Sequence, residues 1–244
     1  MTKNDKIIWT TKEDLSAHFF TDWKIYYYED YPVPQKSQIV YFRDPFNSPD
    51  YQPDQNYINR VIKAYTESIS IDCIRDFSDM QSIEDKFNQS RIFGDLMPRT
   101  FLPSEKNFQI GQHIAKPRIS QRAKNILFDL DRELTDDWII QERPDIVEEI
   151  RVYAVNSKIV DVVGIKSSKQ NGKVKVYGCR KISKEEAEIV KEAMKKIPTL
   201  DFVGFDVAKL KDGNLKIIEV NRSPQFSAYY HFSNLNLAEK LTSL

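Results

Sequence analysis

The chain of 244 residues contains few glycines, few cysteines and no excess of either charge. Its 7 glycines form neither GxGxxG nor GxxxxGKS/T, so the phosphate loops of Rossmann and P-loop proteins are absent. Two cysteines, Cys73 and Cys179, are too few for a disulfide framework or a cysteine-based metal site. The 36 basic and 36 acidic residues cancel, and a neutral chain lacks the electrostatic footprint of a general nucleic-acid-binding protein.

The sequence also lacks long apolar runs. No stretch approaches the roughly 18 apolar residues that a membrane-spanning helix needs, and the first residues have no apolar signal-peptide core. We therefore expect a cytoplasmic protein without a membrane partner. With 41% hydrophobic and 30% charged residues, the chain can bury a large core, which excludes disorder over most of its length.

Short apolar runs and amphipathic stretches alternate along the chain and predict mixed α and β structure. Residues 39–42 are typical of a compact strand, and residues 54–68 carry a helical apolar stripe. Between them, residues 43–56 contain three prolines and predict a long connection of the kind that often contributes to function. Further strands are predicted over residues 110–116, 126–130, 138–142, 149–155, 158–164 and 173–179.

Two further helices carry capping signals at their N-termini. Ser82 with Asp85 three residues later predicts a helix that runs to about Leu96. Ser183 with Glu186 predicts a second helix that ends before the next proline. In both boxes the side chains accept the first N–H groups of the helix, which have no partner within the helix itself.

The segment LDFVGFDVAKLKDGNLKIIEVNRSPQF, residues 200–226, predicts a β-hairpin. Asp212-Gly213 between two β-rich runs indicates a two-residue type I′ turn. If Lys211 pairs with Asn214, then Asp206 lies directly opposite Glu219. Because side chains alternate along a strand, the other face is predicted to be apolar throughout, with Phe205, Val207, Ile218 and Val220.

The polar face of this hairpin presents oxygen ligands. Asn221 lies two residues after Glu219 and therefore shares a face with Glu219 and Asp206. Two like charges opposite each other destabilise a sheet unless water or a cation reaches both of them. Two carboxylates and an amide oxygen suit Mg²⁺, particularly where substrate phosphates complete the coordination shell. A hairpin with a solvated polar face is the alternative.

These residues resemble a known family. Asp206, with Glu219-Val220-Asn221 starting thirteen residues later and Ser223-Pro224 behind them, resembles the magnesium-binding end of the ATP-grasp superfamily. Its members include D-alanine ligases, glutathione synthetases and ribosomal-protein glutamate ligases. Upstream, Asp85-Lys86 and Met97-Pro98-Arg99-Thr100 resemble the segment that opens the ATP-grasp fold.

The resemblance also implies nucleotide contacts, although each residue taken singly fits an ordinary solvated position. Ala115-Lys116-Pro117-Arg118 resembles the strand whose lysine reaches the phosphates, and Ile139-Ile140-Gln141-Glu142 resembles the hinge that recognises adenine largely through backbone groups. Glu149 falls where the family has its ribose-binding carboxylate, and Arg151 and Lys166 match basic residues near the phosphates. The implied nucleotide-binding residues are Lys86, Lys116, Arg118, Gln141, Glu142 and Glu149. The implied catalytic residues are Arg151 and Lys166, and the implied metal ligands are Asp206, Glu219 and Asn221.

The resemblance implies an α+β protein with the ATP-grasp fold, in which the nucleotide is held between two α+β subdomains. The motifs cover about residues 82–227. Residues 1–78 would form a short α/β domain that precedes the ATP-grasp domain. Residues 79–244 would form the ATP-grasp domain itself, with subdomains at about residues 79–140 and 141–244.

The implied activity is an ADP-forming ligation of a carboxylate to an amine, which makes an amide or peptide bond through an acyl phosphate. ATP and Mg²⁺ are the implied cofactors, with two magnesium ions expected and Mn²⁺ as an alternative ion. The substrates would be small molecules or peptides. Candidate contacts to them are residues 43–56, Arg99 and residues 222–230.

Three positions depart from the family pattern. The loop at residues 120–124 contains no glycine, Gly204 stands where D-alanine ligases have an arginine, and Gln225 replaces the usual glycine after Pro224. These differences leave open an ATP-binding protein that is regulatory or no longer catalytic. An ATP-grasp kinase acting on a small molecule would use the same site, and an α+β interaction protein without a ligand is the remaining alternative.

Overall fold

The computed structural model describes residues 6–32, 39–43, 55–66, 83–105, 111–119, 126–128, 130, 133–166, 176–197 and 202–242. Within these residues the strands are β1 (Lys6–Thr10), β2 (Lys24–Tyr27), β3 (Ile39–Phe42), β4 (Thr100–Phe101), β5 (His113–Pro117), β6 (Trp138–Glu142), β7 (Ile146–Val155), β8 (Lys158–Ile159), β9 (Val162–Lys166), β10 (Val176–Lys181), β11 (Phe202–Leu210) and β12 (Leu215–Asn221). The α-helices are α1 (Gln55–Thr66), α2 (Lys86–Phe93), α3 (Lys184–Met194), α4 (Ser227–Ser233) and α5 (Leu237–Thr242). Short 3₁₀ helices span Leu15–Phe19, Tyr28–Asp30, Gly94–Leu96 and Pro103–Glu105.

The first three strands form a parallel sheet in the order β2-β1-β3. The central strand β1 buries Ile7, Ile8 and Trp9, as expected for a parallel strand that is covered on both faces. Helix α1 packs beside this sheet, since the ring of Tyr57 lies 6.2 Å from the ring of Trp9. The strand predicted at residues 39–42 is confirmed, and so is the helix predicted near residues 54–68.

A small antiparallel sheet has the order β4-β6-β5. Strand β6 matches its prediction at both ends, whereas β5 is described from His113 onward. The predicted strand at residues 126–130 is wrong, because only an isolated bridge from Leu127 to Ala115 forms there. Leu127 and Leu130 pack against the same small core, and residues three apart cannot share one face of an extended strand.

The largest sheet is antiparallel, with the strand order β10-β9-β7-β11-β12 and with β8 paired to β7. One face packs against α2 and α3 through a core that includes Phe93, Val190 and Phe205. Because side chains alternate, the opposite face carries residues such as Arg151 and Asp206. This second face is where the predicted metal ligands lie.

Three predicted strands of this sheet have different ends. The strand predicted at residues 158–164 divides into β8 and β9, since the chain turns back on β7 through Asn156 and Ser157, which both have positive φ angles. Strand β7 begins at Ile146 rather than at residue 149. Strand β10 begins at Val176, and residues 173–175 lie outside the described residues.

Helix α2 begins later than the sequence predicted. Asp85 is its N-cap, because the Asp85 carboxylate accepts hydrogen bonds from two backbone N–H groups of the first turn at 2.8 and 3.4 Å. Ser82 lies outside the described residues. The second capping box is confirmed. The Ser183 hydroxyl accepts from the Glu186 N–H at 3.2 Å, and the Glu186 carboxylate accepts from the Ser183 N–H at 2.8 Å.

The β11–β12 hairpin forms, but its turn differs from the predicted one. The Leu210 N–H donates to the Asn214 carbonyl at 2.8 Å, which leaves three residues in the loop. The last of them, Gly213, has a φ angle of 87°. This is the three-residue hairpin loop with glycine in the left-handed region, for which an Asp-Gly pair is equally suited.

A β-bulge restores the predicted register at the far end of the hairpin. Val207 pairs with Ile217, whereas Asp206 pairs with Glu219, so Ile218 is the extra residue on β12. As a result Ile217, and not Ile218 as predicted, is the fully buried residue of the apolar face. The pairing of Asp206 with Glu219 is confirmed.

Residues far apart in sequence share a second core on the other side of the large sheet. It joins Ile8 and Phe20 near the start of the chain to Tyr153 on β7 and to Phe226 and Tyr229 near its end. The N-terminal sheet therefore packs onto the large sheet through side chains from both ends of the chain. The predicted domain boundary near residue 78 stays a prediction, since residues 67–82 lie outside the described residues.

Buried polar groups join the same parts of the chain. Arg43 and Asp14 are both fully buried and form an ion pair in which Nε lies 2.6 Å from Oδ2. The Gln225 amide donates to the Asp14 carboxylate at 2.7 Å, and its carbonyl oxygen accepts from the Ser16 hydroxyl at 2.9 Å. Arg43 also donates to the Pro224 carbonyl at 3.1 Å. A glycine at position 225 could not make these contacts, which explains the departure from the family pattern there.

Candidate active site

The polar face of the large sheet brings together charged side chains from neighbouring strands. Asp206 on β11 pairs in register with Arg151 on β7 and with Glu219 on β12. On the other side of β7, Glu149 pairs with Lys166 on β9. Because directly paired residues of a sheet point to the same side, these five side chains form one group, which we call the charged cluster.

Asp206 lies at the centre of the charged cluster and is 1% exposed. Its carboxylate accepts two hydrogen bonds from Arg151, from Nε and Nη2, and one from Lys166 Nζ, each 2.7 Å long. Burial on its own raises the pKa of the Asp206 carboxyl, but the charges and hydrogen bonds of Arg151 and Lys166 outweigh it. The pKa of Asp206 therefore lies well below its ordinary value, and the group is ionised at physiological pH.

The two cations of the cluster are held by the same carboxylate. Burial lowers the pKa of the Arg151 guanidinium, but the charge of Asp206 and its hydrogen bonds raise that pKa above its ordinary value. Lys166 bridges two carboxylates, since its ammonium donates both to Asp206 and to Glu149. Glu149 is thus paired with Lys166, and its contact with a ribose stays a prediction.

Helix α2 supplies a further cation. Lys86 is the first residue of this helix, and its Nζ lies 3.3 Å from Oε1 of Glu219. The Asp85 cap fixes where the helix begins, and the Lys86 backbone N–H donates to the Arg118 carbonyl at 3.0 Å. The N-terminus of α2 is therefore tied to the small sheet and reaches over to the charged cluster.

The predicted metal ligands lie together on this face. Asn221 pairs in register with Gly204, and its Nδ2 is buried without a hydrogen-bond partner in the described part of the chain. Asp206, Glu219 and Asn221 offer oxygen donors, which is the donor set that Mg²⁺ prefers when phosphates supply the remaining ligands. No group of three or more His, Cys, Asp and Glu side chains suited to a metal ion occurs among the described residues. Two carboxylates and an amide fit magnesium better than a zinc-type metal.

The small sheet presents a buried lysine. Lys116 on β5 is 8% exposed, and its Nζ donates to Oε1 of Gln141 on β6 at 2.8 Å. Gln141 Nε2 donates in turn to the Thr100 hydroxyl oxygen at 3.1 Å. This chain across three strands fixes the orientation of the Gln141 amide and holds the lysine. Sequence analysis did not identify Thr100 as a member of this group.

The predicted adenine hinge already uses several of its backbone donors. The Glu142 N–H donates to the Arg99 carbonyl at 2.9 Å, and the Arg143 N–H donates to the Gln112 carbonyl at 2.8 Å. The Glu142 carboxylate accepts from the Arg99 N–H at 3.3 Å. Contacts of Gln141 and Glu142 with adenine stay predictions, and recognition through these two N–H groups would require them to change partners.

Arg118 is tied to the N-cap of α2. Its guanidinium donates to both oxygens of Asp85, including a contact from Nε at 3.1 Å, and also to the Asp136 carbonyl. Its hydrogen bond to Asp85 raises the pKa of Arg118 above its ordinary value. The predicted contact of Arg118 with the nucleotide stays a prediction. The residues at 120–124, and nearly all of 43–54 and 167–175, lie outside the described residues.

Sequence analysis missed Gln89, a buried glutamine on α2 that bonds to the backbone between the predicted metal ligands Glu219 and Asn221. The only sequence signal is its position four residues before Phe93, which places a polar side chain on the apolar face of the helix. No helix within the described residues is long and apolar enough to cross a membrane.

The fold and the site define a protein that presents charged groups on one sheet opposite a buried lysine on another, which is the arrangement of a nucleotide-dependent enzyme. A family model described as an ATP-grasp domain, the third family of its clade, matches residues 50–242, which is most of the chain. The chain belongs to this ATP-grasp family. The family and the α+β class expected from the sequence are confirmed.

Solved structures agree in fold. D-cycloserine synthetase DcsG has a TM-score of 0.71 and 13% identity, over 97% of this chain and 98% of that one. The ATP-grasp ligase PsnB complexed with minimal precursor, Mg and ADP has a TM-score of 0.66 and 17% identity, over 99% and 98%. The macrocyclase MdnC from Microcystis aeruginosa MRC, bound with precursor peptide MdnA, has a TM-score of 0.63 and 13% identity, over 98% and 100%. No curated protein sequence matches the chain.

Proposed function

We propose that the chain is an ATP-dependent carboxylate–amine ligase that forms an amide or peptide bond through an acyl phosphate and releases ADP. The observation that carries the proposal is the buried Asp206 carboxylate, which is held ionised by Arg151 and Lys166 and faces Glu219 on the next strand. An ionised carboxylate pair beside two cations suits the transfer of a charged phosphoryl group. Membership of the ATP-grasp family supports the same class of reaction.

In this proposal the nucleotide lies between the small sheet and the large sheet, within subdomains at about residues 79–140 and 141–244. Lys86, Lys116, Arg118, Gln141, Glu142 and Glu149 are the proposed contacts to the nucleotide. Asp206, Glu219 and Asn221 would hold Mg²⁺, with two ions proposed and Mn²⁺ as a substitute. When bound, the metal neutralises charge on the phosphates.

The protein contributes position and charge to two steps. A carboxylate oxygen of the first substrate attacks the γ-phosphorus, the bond to the β–γ bridging oxygen breaks, and ADP leaves. The nitrogen of the amine then attacks the acyl carbon, phosphate leaves with the bonding electron pair, and the nitrogen loses a proton. Lys116, Arg151 and Lys166 are fixed by hydrogen bonds, so they stabilise the developing charge without reorganising.

Two substrate classes remain within the proposal. The similar structures include PsnB and MdnC with precursor peptides and a synthetase named for the small molecule D-cycloserine. We propose a cytoplasmic enzyme that joins a small-molecule or peptide carboxylate to an amine. Residues 222–230 are the described candidates for contacts to the acid, because they follow directly on Asn221.

The first test is calorimetric binding of ATP with and without Mg²⁺. Glu219→Ala is expected to lose the magnesium-dependent part of the binding. Glu192→Ala is the matched control, since it also removes a carboxylate from an ion pair, on an exposed part of α3 away from the site. Absence of ATP binding by the wild-type protein under both conditions would overturn the proposal.

The second test separates ligase, kinase and binding protein. The protein is incubated with ATP, Mg²⁺, hydroxylamine and a panel of free amino acids and short acidic peptides. A ligase yields ADP and a hydroxamate, because hydroxylamine traps the acyl phosphate. A kinase yields ADP and a phosphorylated alcohol, and a regulatory protein binds ATP without turnover. Either of the last two results would replace the ligase assignment.

A further inference from the structure

Gln89 bonds to the large sheet as a neighbouring strand would. It lies on α2 and is 1% exposed. Its Oε1 accepts from the Val220 N–H at 3.0 Å, and its Nε2 donates to the Val220 carbonyl at 2.8 Å and to the Ile83 carbonyl at 2.6 Å. One residue that exchanges both backbone hydrogen bonds with a partner is the pattern of an antiparallel strand pair. Here a side-chain amide supplies it.

The place of this contact is the edge of the sheet. β12 is paired with β11 on one side, and no strand in the described part of the chain pairs with its other side. Val220 stands between Glu219 and Asn221, the two proposed metal ligands of this strand. A buried N–H and C=O at this edge would be costly without a partner, and Gln89 satisfies both of them.

The contact also lies next to a choice of register. Val207 pairs with Ile217, and continuing that register without the bulge would place Ile218 opposite Asp206. Glu219 would then move to the apolar face, because a slip of one residue turns every side chain to the other side. The bulge at Ile218 avoids this outcome, and Gln89 fixes the strand at the second residue after it.

We infer that Gln89 is a positioning residue, which holds β12 in the register that turns Glu219 and Asn221 toward Asp206. The inference rests on the proposed function, since it concerns residues proposed to hold the metal. Gln89 does not touch the nucleotide or the metal in this role. It acts through the backbone of Val220.

The test compares two substitutions that each remove one side chain–backbone tie from the same strand. Gln89→Met keeps the length of the side chain and removes the amide. Lys216→Met is the matched control, because the Lys216 ammonium donates to the Asp95 carbonyl in the 3₁₀ turn that continues α2, on the other side of the bulge. Two affinities are measured for each protein. They are the affinity for Mn²⁺ in the presence of ADP, from the paramagnetic signal of the free ion, and the affinity for ADP without metal, from calorimetry.

The expected result is that Gln89→Met weakens Mn²⁺ binding by about 10–100-fold, the usual effect of losing a group that orients a metal ligand, and leaves metal-free ADP binding unchanged. Lys216→Met is expected to change neither affinity. If Gln89→Met binds Mn²⁺ as the wild type does, or weakens both affinities together as a general loss of stability would, the inference is wrong. If the wild-type protein binds no Mn²⁺ with ADP, the proposed function fails and the positioning role fails with it.

A measurement on the wild-type protein tests the same contact even where the variant does not fold. The Val220 N–H is expected to exchange with solvent as slowly as the N–H groups of Glu219 and Asn221, although it lies on the unpaired side of β12. Rapid exchange at Val220 alone would show that Gln89 does not hold this strand, and would overturn the inference.

Discussion

Substitution of Gly204 tests how tightly the end of the metal-ligand hairpin is packed. A Cβ atom at this position would lie 2.6 Å from Cβ and 3.2 Å from Cγ of Pro224, and 3.8 Å from Cδ of Arg151. The proline ring cannot rotate away. Its carbonyl also accepts a hydrogen bond from the buried Arg43 at 3.1 Å, so a shift of Pro224 would disturb that contact as well.

Two opposing effects set the magnitude for Gly204→Ala. Forcing an extra methyl group into a packed site costs about 1–3 kcal/mol. Restricting the unfolded chain by replacing glycine returns about 0.4–1 kcal/mol, because the φ angle of Gly204 is not in the left-handed region. We therefore expect a net loss of roughly 1–2 kcal/mol, which corresponds to a fall in the melting temperature of roughly 2–8 °C for a chain of this size.

Thermal unfolding followed by circular dichroism measures this effect, with Gly178→Ala as the matched control. Gly178 lies in β10 of the same sheet, and a Cβ there would meet only Ile165 Cδ1, at 3.8 Å. Gly178→Ala is expected to be neutral or slightly stabilising. Equal melting temperatures for the two variants would refute the claim that Pro224 excludes a side chain at Gly204, and with it this explanation of the departure from D-alanine ligases.

Two further substitutions test the electrostatics and the capping. Burial raises the pKa of the Asp14 carboxyl, but the charge and hydrogen bonds of Arg43 outweigh it and hold that pKa below its ordinary value. Such a group stabilises the fold above the unfolded pKa of about 3.9 and loses this contribution as the pH falls, so the stability gap between wild type and Asp14→Asn should narrow in acid. Urea unfolding at neutral and acidic pH measures the gap, and a constant gap would contradict the assignment. Ser183→Ala should cost about 1 kcal/mol by removing the cap on the Glu186 N–H. Ser90→Ala, which removes a hydroxyl from within α2, is its control in the same urea assay, and an equal loss in both would argue against capping.

The hairpin shows what the sequence could predict and what it could not. The pairing of Asp206 with Glu219 was predicted correctly from a turn that was predicted wrongly, because the extra loop residue and the bulge at Ile218 offset each other. Asp-Gly suits a two-residue and a three-residue loop alike. Ile217 and Ile218 are the same residue type, so only packing against the core decides which of them bulges.

Local signals were sufficient where the chemistry is local. The capping box of α3 and the full extent of β6 follow from residue type and spacing. The start of α2 was misplaced because Asp85 can serve as the partner in a capping box or as the cap itself. Arg118 was assigned to the nucleotide by a four-residue motif, whereas its partner Asp85 lies 33 residues away and becomes visible only in three dimensions.

Contacts across the whole chain were beyond sequence reasoning. Nothing near Gln225 indicates that its amide belongs to Asp14 and Ser16, and nothing near Gln89 indicates that it completes the edge of β12. Both glutamines satisfy backbone or carboxylate groups that other elements leave buried. Such pairings depend on how the sheets pack, which the periodicity of a single segment does not encode.

The shared core of the two chain ends has a consequence for synthesis on the ribosome. Ser16 and Gln225 are hydrogen-bonded across 209 positions, and Phe20 packs against Phe226. The N-terminal sheet therefore emerges long before the side chains that cover it, and its apolar surface stays open to other molecules until residues 226–241 follow. Contacts this distant in sequence slow folding and lengthen that exposure. The nascent protein depends on chaperone protection until these last residues have been translated.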